Sequence, residues 1–83
     1  MYVFSASVLH VWVERGQTVS NHYPISSARD SWEYEDFVNY CISQAQSNSS
    51  YGHSSSTSIN VTGAQILSDG HLELLQTDII SAI

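Results

Sequence analysis

Four carboxylates fall within seven residues, Asp30-Ser31-Trp32-Glu33-Tyr34-Glu35-Asp36, interleaved with two large aromatics. Carboxylates held on a rigid element accept arginine forks and can imitate a row of phosphates. Trp and Tyr are the residues that most often anchor an interface. Asp30 and Glu33 stand at capping-box spacing for a helix beginning near Ser31, where acids also complement the positive end of the helix dipole. Glu35 and Asp36 have no Lys or Arg at helical spacing to pair with, so they are the acids left for a partner. Asp30, Trp32, Glu33, Tyr34, Glu35 and Asp36 are therefore the candidate partner-binding residues.

No comparable pattern points to catalysis, a metal or a cofactor. Cys41, the single cysteine, falls on an apolar helical stripe, where cysteine behaves as a small buried hydrophobe. The serines form no G-x-S-x-G elbow. His10, His22, His53 and His71 are scattered without ligand spacing, which speaks against zinc. Glu33 and Asp36 have no pocket signature around them that would make them an acid and base pair. The expectation is a protein that is not an enzyme. Protonation of all four histidines would move the formal charge from −6 to −2, weakening attraction to a basic partner at low pH.

Two arginines, no lysine and eight acids in 83 residues repel nucleic acid and anionic membranes and attract cationic surfaces. Base stacking on Trp32, Tyr34 or Tyr51 would need a cationic groove that two arginines cannot line. One cysteine excludes an internal disulfide framework. The start of the chain, Met1 to Leu9, lacks a positive n-region and is broken by Ser5 and Ser7. No stretch approaches the ~20 apolar residues of a membrane span. A cytoplasmic protein is expected, with the N-x-S/T matches at Asn48 and Asn60 arising by chance.

The elements that position these residues read as a single small domain over 1–83. Tyr2 to Val13 is a β-branched and aromatic first strand, with apolar residues on both parities as in a strand covered on both faces. Glu14-Arg15-Gly16-Gln17 is a turn, and Thr18 to Ile25 returns, with Pro24 marking an edge or an end. Tyr34, Phe37, Val38, Cys41 and Ala45 make one helical stripe, widened by Ile42. Residues 47–58 form a Ser-rich loop containing Tyr51, Gly52 and His53. Ile59-Asn60-Val61 alternates, Gly63 marks a bulge, Ser68-Asp69-Gly70 is a hairpin turn, and His71 to Gln76 returns with Leu72 and Leu74 inward. Thr77 to Ile83 is a further edge strand or a helical turn. The fold class is α+β: an antiparallel sheet of about four strands in the order β-β-α-β-β, with one helix on one face.

Small size, strong acidity, absence of lysine and this element order resemble the small acidic inhibitors encoded by phages and mobile elements, the anti-CRISPR proteins above all. The resemblance lies in profile and architecture and transfers no residue roles. It implies stoichiometric binding, inside the host cell, to a basic protein or ribonucleoprotein such as a Cas effector. The basic surface bound would be one that receives guide or target nucleic acid, with no direct contact to nucleic acid or membrane. Such a protein would act as a DNA mimic, as monomer or homodimer. The alternatives are a self-associating structural or assembly subunit, with edge strands pairing and Ile79-Ile80-Ile83 completing a partner's core, or an antitoxin or immunity-type inhibitor of a nuclease.

Overall fold

A computed structural model of the chain describes residues 1–48 and 55–81. The order is β1 (Tyr2–Glu14), β2 (Gln17–Arg29), α1 (Tyr34–Asn48), β3 (Ser55–Ile66) and β4 (Leu72–Ser81). The strands form one antiparallel sheet in the spatial order β2-β1-β3-β4. Helix α1 packs over β1 and β3, giving the two-layer α+β arrangement expected.

β1 is the central strand, and its alternation sets the layers. Phe4, Ala6, Val8, His10 and Trp12 are buried, and their parity faces the helix. The opposite parity is not covered, contrary to expectation: Leu9 is 39% and Val13 46% exposed. Apolar residues on both faces of a strand thus need not mean two covering layers within one chain. The β1–β2 hairpin closes through a two-residue turn in which Arg15 (φ 52°) and Gly16 (φ 77°) are both left-handed. This is the geometry whose twist matches that of the flanking strands. β2 is an edge strand, which accommodates Pro24 in mid-strand without breaking a second ladder.

The helical stripe is as read from the sequence. Tyr34, Phe37, Cys41 and Ala45 are buried against Phe4, Ala6, Val8, Ile59 and Val61, with Val38 and Ile42 at the margin. Other expectations are corrected. The helix begins at Tyr34, three residues after Ser31. Of the expected Ser-rich loop 47–58, residues 47 and 48 belong to α1 and residues 55–58 to β3; its Tyr51, Gly52 and His53 lie outside the described residues. Serines 55, 56 and 58 are recruited by the ladder to β1, in register with Trp12, Val11 and Leu9. Thr77 to Ser81 continues β4 without interruption.

Leu72 and Leu74 do not point inward; each is 64% exposed. They stand opposite Ile66 and Ala64, and a bulge at Gly63/Ala64 then inserts Leu75. Past that extra residue the parity switches, so Gln76, Asp78 and Ile80 face the helix side.

The core also contains a satisfied polar cluster. His10, 1% exposed, bonds through Nδ1 to Thr57 Oγ1 (2.8 Å) and through Nε2 to the Tyr23 hydroxyl (3.0 Å), linking β1 to both neighbours. Burial lowers its pKa below the ordinary 6.5, because the charged ring loses its hydration. The folded state therefore holds a neutral ring while the unfolded chain takes up a proton near pH 6.5. The stability this contributes is whole above that pH and is lost as pH falls through 6.5 toward the lower folded value. Chemical denaturation between pH 7.5 and 5 should show a decline of up to about 1.4 kcal/mol per pH unit. His10→Gln, which keeps hydrogen-bonding capacity without a titrating ring, should flatten it; an equal decline in both proteins would remove His10 as the cause.

Candidate docking cleft at the helix start

The segment between β2 and α1 is fixed by local bonds that the capping expectation misassigns. Glu33, and not Asp30, occupies the position before the first helical residue: its carbonyl accepts the first helical bond, from Phe37 N (3.0 Å). Its carboxylate is engaged from behind, accepting from Ser31 Oγ (2.7 Å) and facing Arg29 Nη1 at 3.4 Å. Asp30 sits in the exposed bend before the helix. Glu35 and Asp36 form the acidic first turn, so the dipole favours these two acids. The roles are exchanged: Arg29 and Ser31 account for Glu33, and the dipole supports the pair expected to lack a local reason.

Trp32 and Tyr34 lie one behind the other, ring centroids 5.3 Å apart and planes 10° from parallel. Trp32 also meets Tyr2 edge-on at 5.5 Å and Phe4 at 5.3 Å. This aromatic wedge sits directly on Gly63. A Cβ there would lie 2.5 Å from Trp32 Cη2 and 2.9 Å from Tyr34 Cδ1. The glycine that the sequence marks as a bulge is also a floor that only a residue without a side chain can provide. Trp32 stays 38% exposed while Tyr34 is 5% exposed.

Tyr34 ties the helix start to the edge strand. Its hydroxyl donates to Asp78 Oδ2 at 2.6 Å, and Gln76 Nε2 donates to the same oxygen at 2.9 Å. Burial, reinforced by the adjacent Asp78 carboxylate, pushes the Tyr34 phenol well above its usual range. The Tyr34 bond, with Gln76 second, holds Asp78 below its ordinary value. The acceptor is thus an ion and the bond charge-assisted.

These contacts frame an open cleft of about 400 Å³ lined by Trp32, Glu33, Tyr34, Glu35, Asp36 and Gln76. Five of the six residues nominated from the sequence line it together; Asp30 does not. Arg29, Gly63, Gln76 and Asp78 were not anticipated. Arg29 stands four residues before Glu33 and could have been found by spacing; Gln76 and Asp78 arrive from β4 and carry no local signal. The cleft offers carboxylate acceptors beside an aromatic face, which is the chemistry that receives a guanidinium or ammonium group.

Elsewhere, burial pushes the Cys41 thiol up to about 11, so it stays protonated and poorly nucleophilic. Ser7 Oγ and His22 Nε2 are hydrogen-bonded across β1 and β2, a pairing the sequence reading missed. It lies on the sheet face turned away from the helix and from the cleft. Among the described residues no three His, Cys, Asp or Glu side chains converge as a metal site, and no helix is long and apolar enough to cross a membrane.

Comparison with protein-family models, curated proteins and solved structures finds no match.

Gly63→Ala should drive Trp32 off its floor, costing about 1–3 kcal/mol by overpacking and weakening the near-ultraviolet circular dichroism of the Trp32–Tyr34 stack. Adding Trp32→Leu should recover part of the lost stability. A Gly63→Ala protein with unchanged stability and spectrum would contradict this packing.

Proposed function

We propose that this chain is a non-enzymatic protein inhibitor that docks its acidic cleft on a basic, nucleic-acid-handling surface of a host defence complex, in the manner of the anti-CRISPR proteins. The observation that carries the reading is the cleft itself: Glu35 and Asp36, both exposed, stand beside the half-exposed Trp32 on a helix start braced by Arg29, Gly63 and Asp78. An arginine from the partner would stack on Trp32 and present its fork to the first-turn acids. The approach of a chain of net charge −6 toward a cationic groove is accelerated by long-range attraction, while burial of Trp32 sets the residence time. Occupation of such a groove blocks guide or target nucleic acid by competition for the same cations. The bracing has a further value: side chains already fixed in the free protein lose less entropy on binding.

The test is binding to purified Cas effectors, with and without guide RNA, followed by interferometry at two salt concentrations. The association rate should fall about tenfold between 50 and 300 mM salt, roughly as the screening length shortens. Glu35→Lys/Asp36→Lys should weaken binding at least a hundredfold and abolish inhibition. Binding and inhibition that survive this reversal would sink the acidic-cleft reading.

A further inference from the structure

The side of the sheet turned away from α1 carries a large uncovered apolar surface. Leu9, Val13, Ile66, Leu72, Leu74 and Ile79 are 37–80% exposed on it, spread over β1, β3 and β4 with short hydroxylated residues between them. Among the described residues the same side carries no Asp, Glu or Arg side chain, and His22, bonded to Ser7, is the titratable ring on it. Every carboxylate and both arginines of the chain lie in the helix layer, in a turn, or at strand positions of the helix-facing parity, as Glu14, Arg29, Glu73 and Asp78 do. The molecule is therefore divided into a charged side and a neutral, apolar side.

We infer that this neutral sheet face is a homodimer interface, on which a second copy of the chain stacks face to face. Three observations select a second copy as the occupant. Among the described residues of a chain of net charge −6, this face is a broad surface free of acids, on which another such chain can sit without bringing carboxylates together. Its size is right: the molecule is 52 × 19 × 15 Å, so either short extent gives the face a footprint of about 800–1,000 Å², and a standard interface takes about 800 Å² from each partner. The protomer alone is also too extended, with a radius of gyration of 14.8 Å against about 12 Å for a compact domain of its length. Stacking a second sheet about 10 Å away doubles the thickness and supplies the missing layer.

Face stacking, rather than edge pairing, follows from where the exposed residues are. Joining two β4 edges would extend the sheet but leave Leu9 and Val13 in water, because β1 is an interior strand. Only a layer laid across the face covers them together with Leu72, Leu74 and Ile79. In the resulting two-fold arrangement both helices lie outside, so the two acidic clefts point away from the interface and remain open.

Sedimentation equilibrium and light scattering on the intact chain over about 1–100 μM test this directly. The expected particle is twice the 9.2 kDa protomer, and raising salt to 500 mM should not dissociate it. Ile79→Glu and Leu9→Glu should each weaken dimerisation at least a hundredfold, with the far-ultraviolet spectrum retained because both positions face solvent in the protomer. Val13→Glu serves in place of Leu9→Glu should that variant not fold. A wild-type monomer at 100 μM overturns the proposal and leaves the face to another protein. A folded Leu9→Glu or Val13→Glu variant that stays dimeric while Ile79→Glu dissociates also overturns it, in favour of edge pairing. Glu35→Lys/Asp36→Lys should remain dimeric, so loss of partner binding and loss of the dimer are read separately.

Discussion

One helix has to serve a sheet that is larger than it can cover, and most of the architecture follows from that mismatch. Fifteen helical residues span about 22 Å, whereas the thirteen residues of β1 reach about 43 Å. A helix of ordinary diameter also shields about two strands of four, and here these are β1 and β3. The buried apolar core accordingly lies where Tyr34, Phe37, Cys41 and Ala45 cover Phe4, Ala6, Val8, Ile59 and Val61. Everything beyond that footprint has to be closed by other means or left open.

The two ends of β1 are closed differently. Toward Tyr2 and Phe4, the segment leading into the helix folds Trp32 down onto Gly63 and stacks Tyr34 behind it, so an aromatic wedge extends the roof past the first helical turn. Farther along the strand, His10 occupies a core position and is satisfied by Tyr23 and Thr57 from the flanking strands. A hydrogen-bonded imidazole fixes the register of three strands at once, which an aliphatic side chain there would not do. The price is sensitivity to acid. The wedge has a different consequence: the residues that finish the roof also form the wall of the cleft, so structural closure and the proposed docking surface share Trp32 and Tyr34.

What was legible in the sequence was whatever depends on local periodicity or a local dihedral. The stripe Tyr34, Phe37, Cys41, Ala45 repeats at helical spacing, and its core role follows. Gly16 and Gly70 supply left-handed turns, and Pro24 marks an edge. What was hidden depends on pairing between distant segments. Serines 55, 56 and 58 have a loop's composition and become strand only because β1 offers them a ladder. Leu72 and Leu74 read as inward because they are the apolar members of their alternation, but their register with Ile66 and Ala64, set by the β3–β4 pairing, puts them on the face away from the helix. The helix start moved for a similar reason: Asp30 and Glu33 satisfy capping spacing, but Arg29 and Ser31 capture the Glu33 carboxylate first. Glu33, Glu35 and Asp36 still share one cleft, because neighbours in sequence on one helix start cannot be scattered far, although Asp30, in the bend before it, falls outside; Gln76 and Asp78, forty or more residues away, could be placed only by the sheet.

The segregation of charge ties the two surfaces to one cause. A small sheet with a single helix has one face that must stay free of carboxylates if it is to be covered by anything of the same kind, since an unpaired buried charge is far more costly than an exposed one. With no lysine and only two arginines to neutralise them, the eight acids are kept to one side: on the helix layer, in the turns and at helix-facing positions of β1 and β4. Concentration of charge around the helix start is thus the complement of its exclusion from the open face. An acidic patch of this origin gains strength from the second layer as well. In the proposed dimer, two protomers joined through their neutral faces would carry twice the charge on two outward surfaces, and such a particle would be steered toward cationic targets from either side. The proposed polyanion mimicry and the proposed self-pairing draw on one and the same distribution of ten charged residues.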